Sequence, residues 1–279
     1  MDYMEEYKRL QQLIPAADQA GKYQKLLHFA ERYMELAEAL YGKDDVQYAT
    51  ALNEYAGAHR NLGNYKNAEK AYHKSLQILA EEHGQLTTEY ANVLNNLSGM
   101  YRLDGQYEKA EESFLAVKEI YEKTVGMKHF LYTSCLNNLG LLYQDLGRYE
   151  EAEKLHLECL QVFAKMDTHN EIAQATTIMN LASAQEAQGK LDEVESLLER
   201  AMEIYAGNLG EEHPLYAHAM NALASYYVKT GEVEKAKGFL NKVLAVVEKV
   251  YGKESDRYEL AGENLDAVEK MIEKIKTEK

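Results

Sequence analysis

Residues 132–173 read YTSCLNNLGLLYQDLGRYEEAEKLHLECLQVFAKMDTHNEIA. Leu136, Leu139, Gly140 and Tyr143 fall at i, i+3, i+4 and i+7, which is one stripe of an amphipathic helix. Tyr149, Ala152, His156 and Cys159 mark a second stripe. Between them stands Leu146-Gly147-Arg148. Glycine reaches positive φ at little steric cost, so Gly147 is expected to end the first helix and start a turn. The stretch therefore reads as a helical hairpin.

The same unit recurs on both sides. Gly21, Gly63, Gly105, Gly147, Gly189 and Gly231 are each 42 residues apart. A second series runs Gly42, Gly84, Gly126, Gly210 and Gly252, with Thr168 in the one missing place. A fixed period with two turn signals per unit predicts a stacked array of helical hairpins. Small residues recur where helices must approach: Ala56, Ser98, Gly140, Ala182 and Ala224, then Ala68, Ala110, Ala152, Val194 and Ala236. Large ones fill between them: Leu52, Leu94, Leu136, Ile178 and Met220, then Tyr55, Leu97, Leu139, Leu181 and Leu223. Alternating small and large side chains lets facing helices interdigitate.

The pattern LNNLG–x2–Y–x3–G–x–Y–x2–A resembles a tetratricopeptide repeat, and the 42-residue period with its LNNL wording is most similar to the kinesin light chain type. The resemblance covers roughly residues 3–252 and implies an all-α, right-handed superhelical solenoid of antiparallel helix pairs. The usual family period is 34 residues, so the helices here should each be about a turn longer. The expected organisation is a single array over 1–279. It comprises a degenerate first repeat at 1–43, five repeats over 44–253 and a C-terminal capping helix at 254–279. Pro15 should kink or divide the first helix. Asp45, Thr87, His213-Pro214 and Ser255 stand three residues after the second glycine series, where helix N-caps belong. The unit at 170–209 departs most, with Thr168 for glycine, Leu191 for the turn tyrosine and Met179 for a recurring asparagine; an irregular joint is expected near 165–172.

Composition excludes several classes. The net charge of −15 argues against nucleic-acid or anionic-membrane binding, because phosphate backbones need a basic footprint. No run of about 18 apolar residues predicts a membrane span, and the acidic N-terminal MDYMEEYKRLQQL does not read as a signal peptide. Two cysteines, Cys135 and Cys159, are too few for a disulfide framework and point to a reducing cytoplasm. His156 and Cys159, with Cys135, approach a metal set, but they belong to the packing stripe, and structural zinc usually takes four ligands. There is no HExxH, phosphate loop, GxSxG or dinucleotide fingerprint. The expectation is a protein that is not an enzyme and carries no cofactor and no metal. Tyrosine is abundant, 22 against no tryptophan. Tyr48, Tyr90, Tyr132, Tyr216 and Tyr258 recur at the period and are read as packing between helices.

The informative set lies on the first helix of each unit. Asn53, Asn95, Asn137 and Asn221 share one register, with Met179 the exception. One turn earlier come Thr50, Asn92, Ser134, Thr176 and His218; further on come Leu141 and then Arg60, Arg102 and Gln144. The resemblance implies that first helices line a concave face and that LNEYA, LNNLS, LNNLG and MNALA carry an asparagine that touches bound peptide. An amide side chain donates and accepts, so it can satisfy an extended peptide backbone. The alternative is that each asparagine bonds the neighbouring helix and only stabilises stacking. Four net hydrogen bonds supply roughly 2–6 kcal/mol, short of the roughly 8 that micromolar affinity needs. Apolar contacts at Leu141 and Met179, or charge contacts at Arg60 and Arg102, would have to add to them. The sequence thus predicts a cytoplasmic adaptor that binds a protein or peptide segment in its groove, or alternatively a regulatory sensor of a small signalling peptide.

Overall fold

The computed structural model describes residues 2–166 and 170–277. Its described residues form 13 α-helices and no strand. The first repeat supplies α1 (Tyr3–Gln19) and α2 (Tyr23–Tyr41). Then follow α3 (Val46–Asn61) and α4 (Tyr65–His83), α5 (Thr88–Leu103) and α6 (Tyr107–Thr124), α7 (Phe130–Asp145) and α8 (Tyr149–Phe163). The chain continues through α9 (Glu171–Ala187) and α10 (Val194–Leu209), α11 (Pro214–Thr230) and α12 (Val233–Tyr251), and ends with α13 (Asp256–Thr277). The backbone divides into two compact units, Met1–Leu142 and Tyr143–Lys279, and the division falls inside α7.

The glycines punctuate the chain as their spacing predicts. The eleven positive-φ residues among those described are the two glycine series, and no other residue type is found there. At Gly147 φ is 71°, and the Arg148 N–H reaches back to the Tyr143 carbonyl at 2.7 Å. This six-to-one bond closes the helix end in a Schellman-type turn. The same bond recurs at Lys22, Asn64, Gln106, Lys190 and Glu232, between 2.8 and 3.0 Å. Helix starts are capped by side chains. Asp45 accepts from the Gln47 N–H at 2.7 Å, Thr87 from Tyr90 at 3.2 Å, His213 from Leu215 at 3.1 Å and Ser255 from Tyr258 at 3.3 Å. His129 and Asn170, which the sequence reading did not single out, cap α7 and α9 in the same way.

Consecutive helices pack on one another from α1 to α6 in the first unit and from α8 to α13 in the second. The small residues at closest approach, Ala56, Ala68, Ala110, Ala152, Ala182 and Ala236, have no exposed surface. Leu97, Leu136, Leu139, Ile178, Leu181 and Leu223 fill the intervening space, all 3% exposed or less. Each such side chain contributes about 1.5–3 kcal/mol by leaving water. Leu94 and Tyr55, expected in the same stripes, are only half-buried.

Three expectations need correction or completion. Pro15 does not divide α1, which runs through it to Gln19. Both Pro15 and Gln11, whose carbonyl loses its donor, are exposed, so water can replace the missing N–H. The irregularity of the 170–209 unit lies partly inside its own hairpin: α10 begins at Val194, three residues after the place where Tyr149 and Val233 begin their helices. At the joint itself α8 stops at Phe163 and α9 begins at Glu171; Thr168 lies outside the described residues.

Candidate functional site

The first-helix asparagines are tied to their neighbours with a stagger of 43 residues. In unit 1 the Asn96 amide donates to the Asn53 Oδ1 at 3.0 Å, and the Asn138 amide donates to the Asn95 Oδ1 at 3.3 Å. All four side chains are half-buried. Each inter-helix bond uses one acceptor or one donor of an amide that offers two donors and an acceptor with two lone pairs. The Asn95 amide nitrogen and the carbonyl oxygens of Asn96 and Asn138 keep capacity that no described residue takes up. The ladder therefore stacks helices and also fixes the orientation of amides with groups to spare.

The remaining predicted positions differ in what they touch. Thr50 and Thr176 are exposed, and each bonds a carbonyl one turn back on its own helix. Asn92 accepts from the buried Tyr121 hydroxyl at 2.7 Å. Arg60 is half-buried and donates to the Asn61 side chain at 3.1–3.2 Å. Arg102, Ser134, Asn137, Leu141 and Asn221 are half-buried on the same helix positions. In unit 2, Gln144 donates to the Asn180 carbonyl at 2.9 Å and lies 3.1 Å from the His156 Nε2. Because the Gln144 nitrogen is a donor, His156 accepts there and is neutral; burial holds its pKa down to about 4. Met179 does not present surface as expected. It is 6% exposed within the apolar core of unit 2, beside Ile178 and Ala182.

Two predicted residues of unit 1, Asn53 and Arg60, meet in a cavity. It measures about 250 Å³ and opens between α1, α3 and α5. Its polar wall also holds Asp18, Glu54, Asn96 and Tyr72, none of which the sequence reading singled out. Glu54 occupies the place that Asn96, Asn138 and Asn180 hold in later repeats, and accepts from Asn53 at 3.3 Å. Burial raises its pKa; the Asn53 bond opposes that. Tyr72 lies in the register of Phe114, His156, Leu198 and Leu240. Both are breaks in a 42-residue column, Glu54 on a first helix and Tyr72 on a second. In unit 2, Asn221 lines a cavity of about 260 Å³ with Ser225, Val228, Leu240 and Met271. A larger depression of about 690 Å³ in unit 1 lies on α4, α5 and α6, walled by His73, Tyr90, Tyr101 and Lys109.

Cys135 and Cys159 are free and buried; the first donates to the Phe114 carbonyl at 3.4 Å and the second lies 3.6 Å from the Thr177 hydroxyl. Among the described residues no group of three or more His, Cys, Asp or Glu side chains is placed to hold a metal ion. None of the described helices is long and apolar enough to cross a membrane.

Comparison with known proteins agrees with this architecture. The tetratricopeptide repeat model matches residues 47–123, 89–165 and 171–249. No curated protein matches the sequence. Among solved structures, one from Podosopora anserina is described as a kinesin light chain with nearly identical TPR-like repeats. It is 25% identical with a TM-score of 0.60, over 72% of this chain and 94% of that one. BtubC (BKLC) from P. vanneervenii is 22% identical with a TM-score of 0.61, over 74% of this chain and 82% of that one. A Rap protein complexed with competence and sporulation factor is 14% identical with a TM-score of 0.66, over 98% of this chain and 78% of that one. The last two share the fold alone.

Proposed function

This chain belongs to the tetratricopeptide repeat family, and from that premise we propose that it is a non-enzymatic adaptor that binds an extended segment of a partner protein. The observation that carries the reading is the ladder Asn53–Asn96 and Asn95–Asn138, whose amides are oriented by inter-helix bonds and, at Asn95, Asn96 and Asn138, keep donors or acceptors unspent. An extended peptide offers alternating N–H and C=O groups, which such amides satisfy without rearrangement. Arg60 and Arg102, at one register of neighbouring first helices, would add charge contacts, and Leu141 an apolar one. Thr50, Asn92, Ser134, Gln144, Thr176 and Asn221 complete the proposed surface. A single array over residues 1–279, with a degenerate first repeat and a capping helix, is part of the proposal. So is a cytoplasmic setting, which two free buried thiols fit.

A small signalling peptide is the alternative occupant. It draws on the Rap protein, whose own structure holds competence and sporulation factor, and that likeness extends to the fold. The test is the double variant Asn95→Ala with Asn137→Ala, measured against the partner recovered by affinity capture. Affinity should fall by roughly 2–5 kcal/mol, because two peptide groups lose their partners. Stability should fall by only about 0.5–1.5 kcal/mol per inter-helix bond lost. Unchanged affinity with a lowered melting temperature would make the ladder purely structural, and would move attention to the depression walled by Tyr90 and Tyr101.

A further inference from the structure

We propose that the cavity between α1, α3 and α5 receives a primary ammonium group of the bound segment, either its amino terminus or a lysine side chain. This deepens the peptide-binding reading and rests on it. The first observation is Tyr72. Its side chain is fully buried, its hydroxyl has no hydrogen-bond partner among the described residues, and it lines this cavity. A buried hydroxyl without a partner is a standing cost unless something enters to meet it. Packing does not require it, since Phe114 fills the same register in the next repeat with no hydroxyl. On α3, Gly57 shares the wall and brings no side chain; a β-carbon built there would lie 3.8 Å from the Tyr72 Oη.

The second observation is charge. Glu54 interrupts a column of asparagines with a half-buried carboxylate that can only accept when ionised. It forms no ion pair among the described residues, and it accepts one side-chain hydrogen bond there, the long one from Asn53 at 3.3 Å. Arg60 favours the ionised carboxylate through its charge but forms no ion pair with it among the described residues, because its guanidinium is turned to the Asn61 oxygen; the Asn61 amide is given to Asp18 at 2.7 Å. The wall therefore carries two carboxylates and one guanidinium. Its unspent capacity is mostly acceptor: Glu54, the Asn96 oxygen and the lone pairs of Tyr72. A group with one positive charge and three donors on one atom matches that set, which is the description of an ammonium. A cavity of about 250 Å³ holds the end of one residue rather than a folded ligand. The burial that raises the Glu54 pKa is the condition under which a matching cation gains most.

The experiment titrates Nα-acetyl-lysine methylamide into the full chain and follows the side-chain amide resonances of Asn53, Asn61 and Asn96. Saturable shifts are expected. Glu54→Gln should weaken the probe at least tenfold, Tyr72→Phe roughly threefold to tenfold, and Gly57→Leu, which places over the hydroxyl the residue found at Leu141, should abolish binding. Arg60→Gln, which removes the one cation of the wall, should tighten it. Glu54→Gln keeps the size of the side chain and Tyr72→Phe adopts the residue of the next repeat. The two act through different atoms, so a folding defect in one leaves the other decisive. Shifts that never saturate, or an affinity indifferent to Glu54→Gln, would overturn the proposal. So would stronger binding of Nα-acetyl-glutamate methylamide through Arg60. The ladder variant separates the two readings. A probe that binds as expected while Asn95→Ala with Asn137→Ala leaves partner affinity intact removes the groove and keeps the pocket. Partner affinity lost in the ladder variant, with a probe that never saturates, removes the pocket and keeps the groove.

Discussion

In unit 1 the first helices α3 and α5 carry Glu54 and Asn96 at one register and Arg60 and Arg102 two turns on; in unit 2, α11 carries Ala222 and Val228 at those places. Behind them, Tyr72 in the first cavity corresponds to Leu240 in the second. The backbone template is the same, with glycines at positive φ and the six-to-one turn bond in both units. The core registers match too: Leu97 and Leu223 are 1% and 0% exposed, and Ala68 and Ala236 have no exposed surface. Of what changes, Glu54, Arg60 and their counterparts are half-buried, whereas the change from Tyr72 to Leu240 lies in the core. Packing density punishes variation in the core, whereas a half-buried side chain is free to be chosen by what it must touch. The polar cavity of unit 1 and the apolar one of unit 2 are thus two outcomes on one repeat template.

The comparison makes its largest prediction in the core, where the units should behave alike. Leu97→Ala and Leu223→Ala each open a cavity, and each should cost on the order of 2–5 kcal/mol in urea unfolding followed by circular dichroism. A difference between them larger than about 2 kcal/mol would mean that one unit relaxes around the loss, and that the shared core register does not imply shared packing.

A somewhat smaller effect should separate the units by pH. Phe114 of unit 1 does not titrate, whereas His156 at the same register of unit 2 is fully buried, neutral, and held down to about 4. Its ordinary value is 6.5. Between those values the unfolded chain binds the proton and the folded chain does not, so stability falls as pH drops from 6.5 toward 4. The total is about 3 kcal/mol for a shift of this size. Below pH 4 both states are protonated and the histidine adds no further slope. His156→Phe, which copies the residue of unit 1, should flatten that part of the stability profile; an unchanged slope would assign the acid sensitivity to other groups.

Much of this was legible in the sequence for a physical reason. Only glycine supplies positive φ cheaply, so its period shows directly where helices end. Asp45, Thr87 and Ser255 could be placed as caps because orphan N–H groups recur at a fixed distance from those turns. The asparagine column was readable as well, but its bonding was not. Asn53 meets Asn96 rather than Asn95 because stacked helices are offset by a residue, and that offset is a property of packing. Tyr72 was missed because it sits on a second helix, in an apolar stripe, and reaches the first-helix side only once the helices are stacked. Met179, read from the column of asparagines it interrupts, lies in the apolar core of unit 2, while Asn137 and Asn221 of that column are half-buried.

The smallest prediction concerns two glycines of the same repeat in unit 1. Gly105 stands in the turn with φ at 73°, where a β-carbon would crowd the backbone although no neighbouring atom lies within 4 Å of it. Gly99 stands inside α5 without positive φ, and its added β-carbon also meets nothing within 4 Å. Space is therefore equal at the two sites and only the backbone differs. Gly105→Ala should cost about 1–2 kcal/mol, the left-handed penalty of an L-residue. Gly99→Ala should stabilise by about 0.5–1 kcal/mol, because alanine removes unfolded-state freedom and favours the helix. Thermal melts of the two variants side by side read the difference in sign. If both destabilise, the Gly99 position is held open by something that needs the space, and the half-buried face of α5 would then be constrained by an occupant even in the isolated protein. If Gly105→Ala is neutral, the turn relaxes to another conformation, and the 42-residue glycine period would mark a preference in unit 1 and not a requirement.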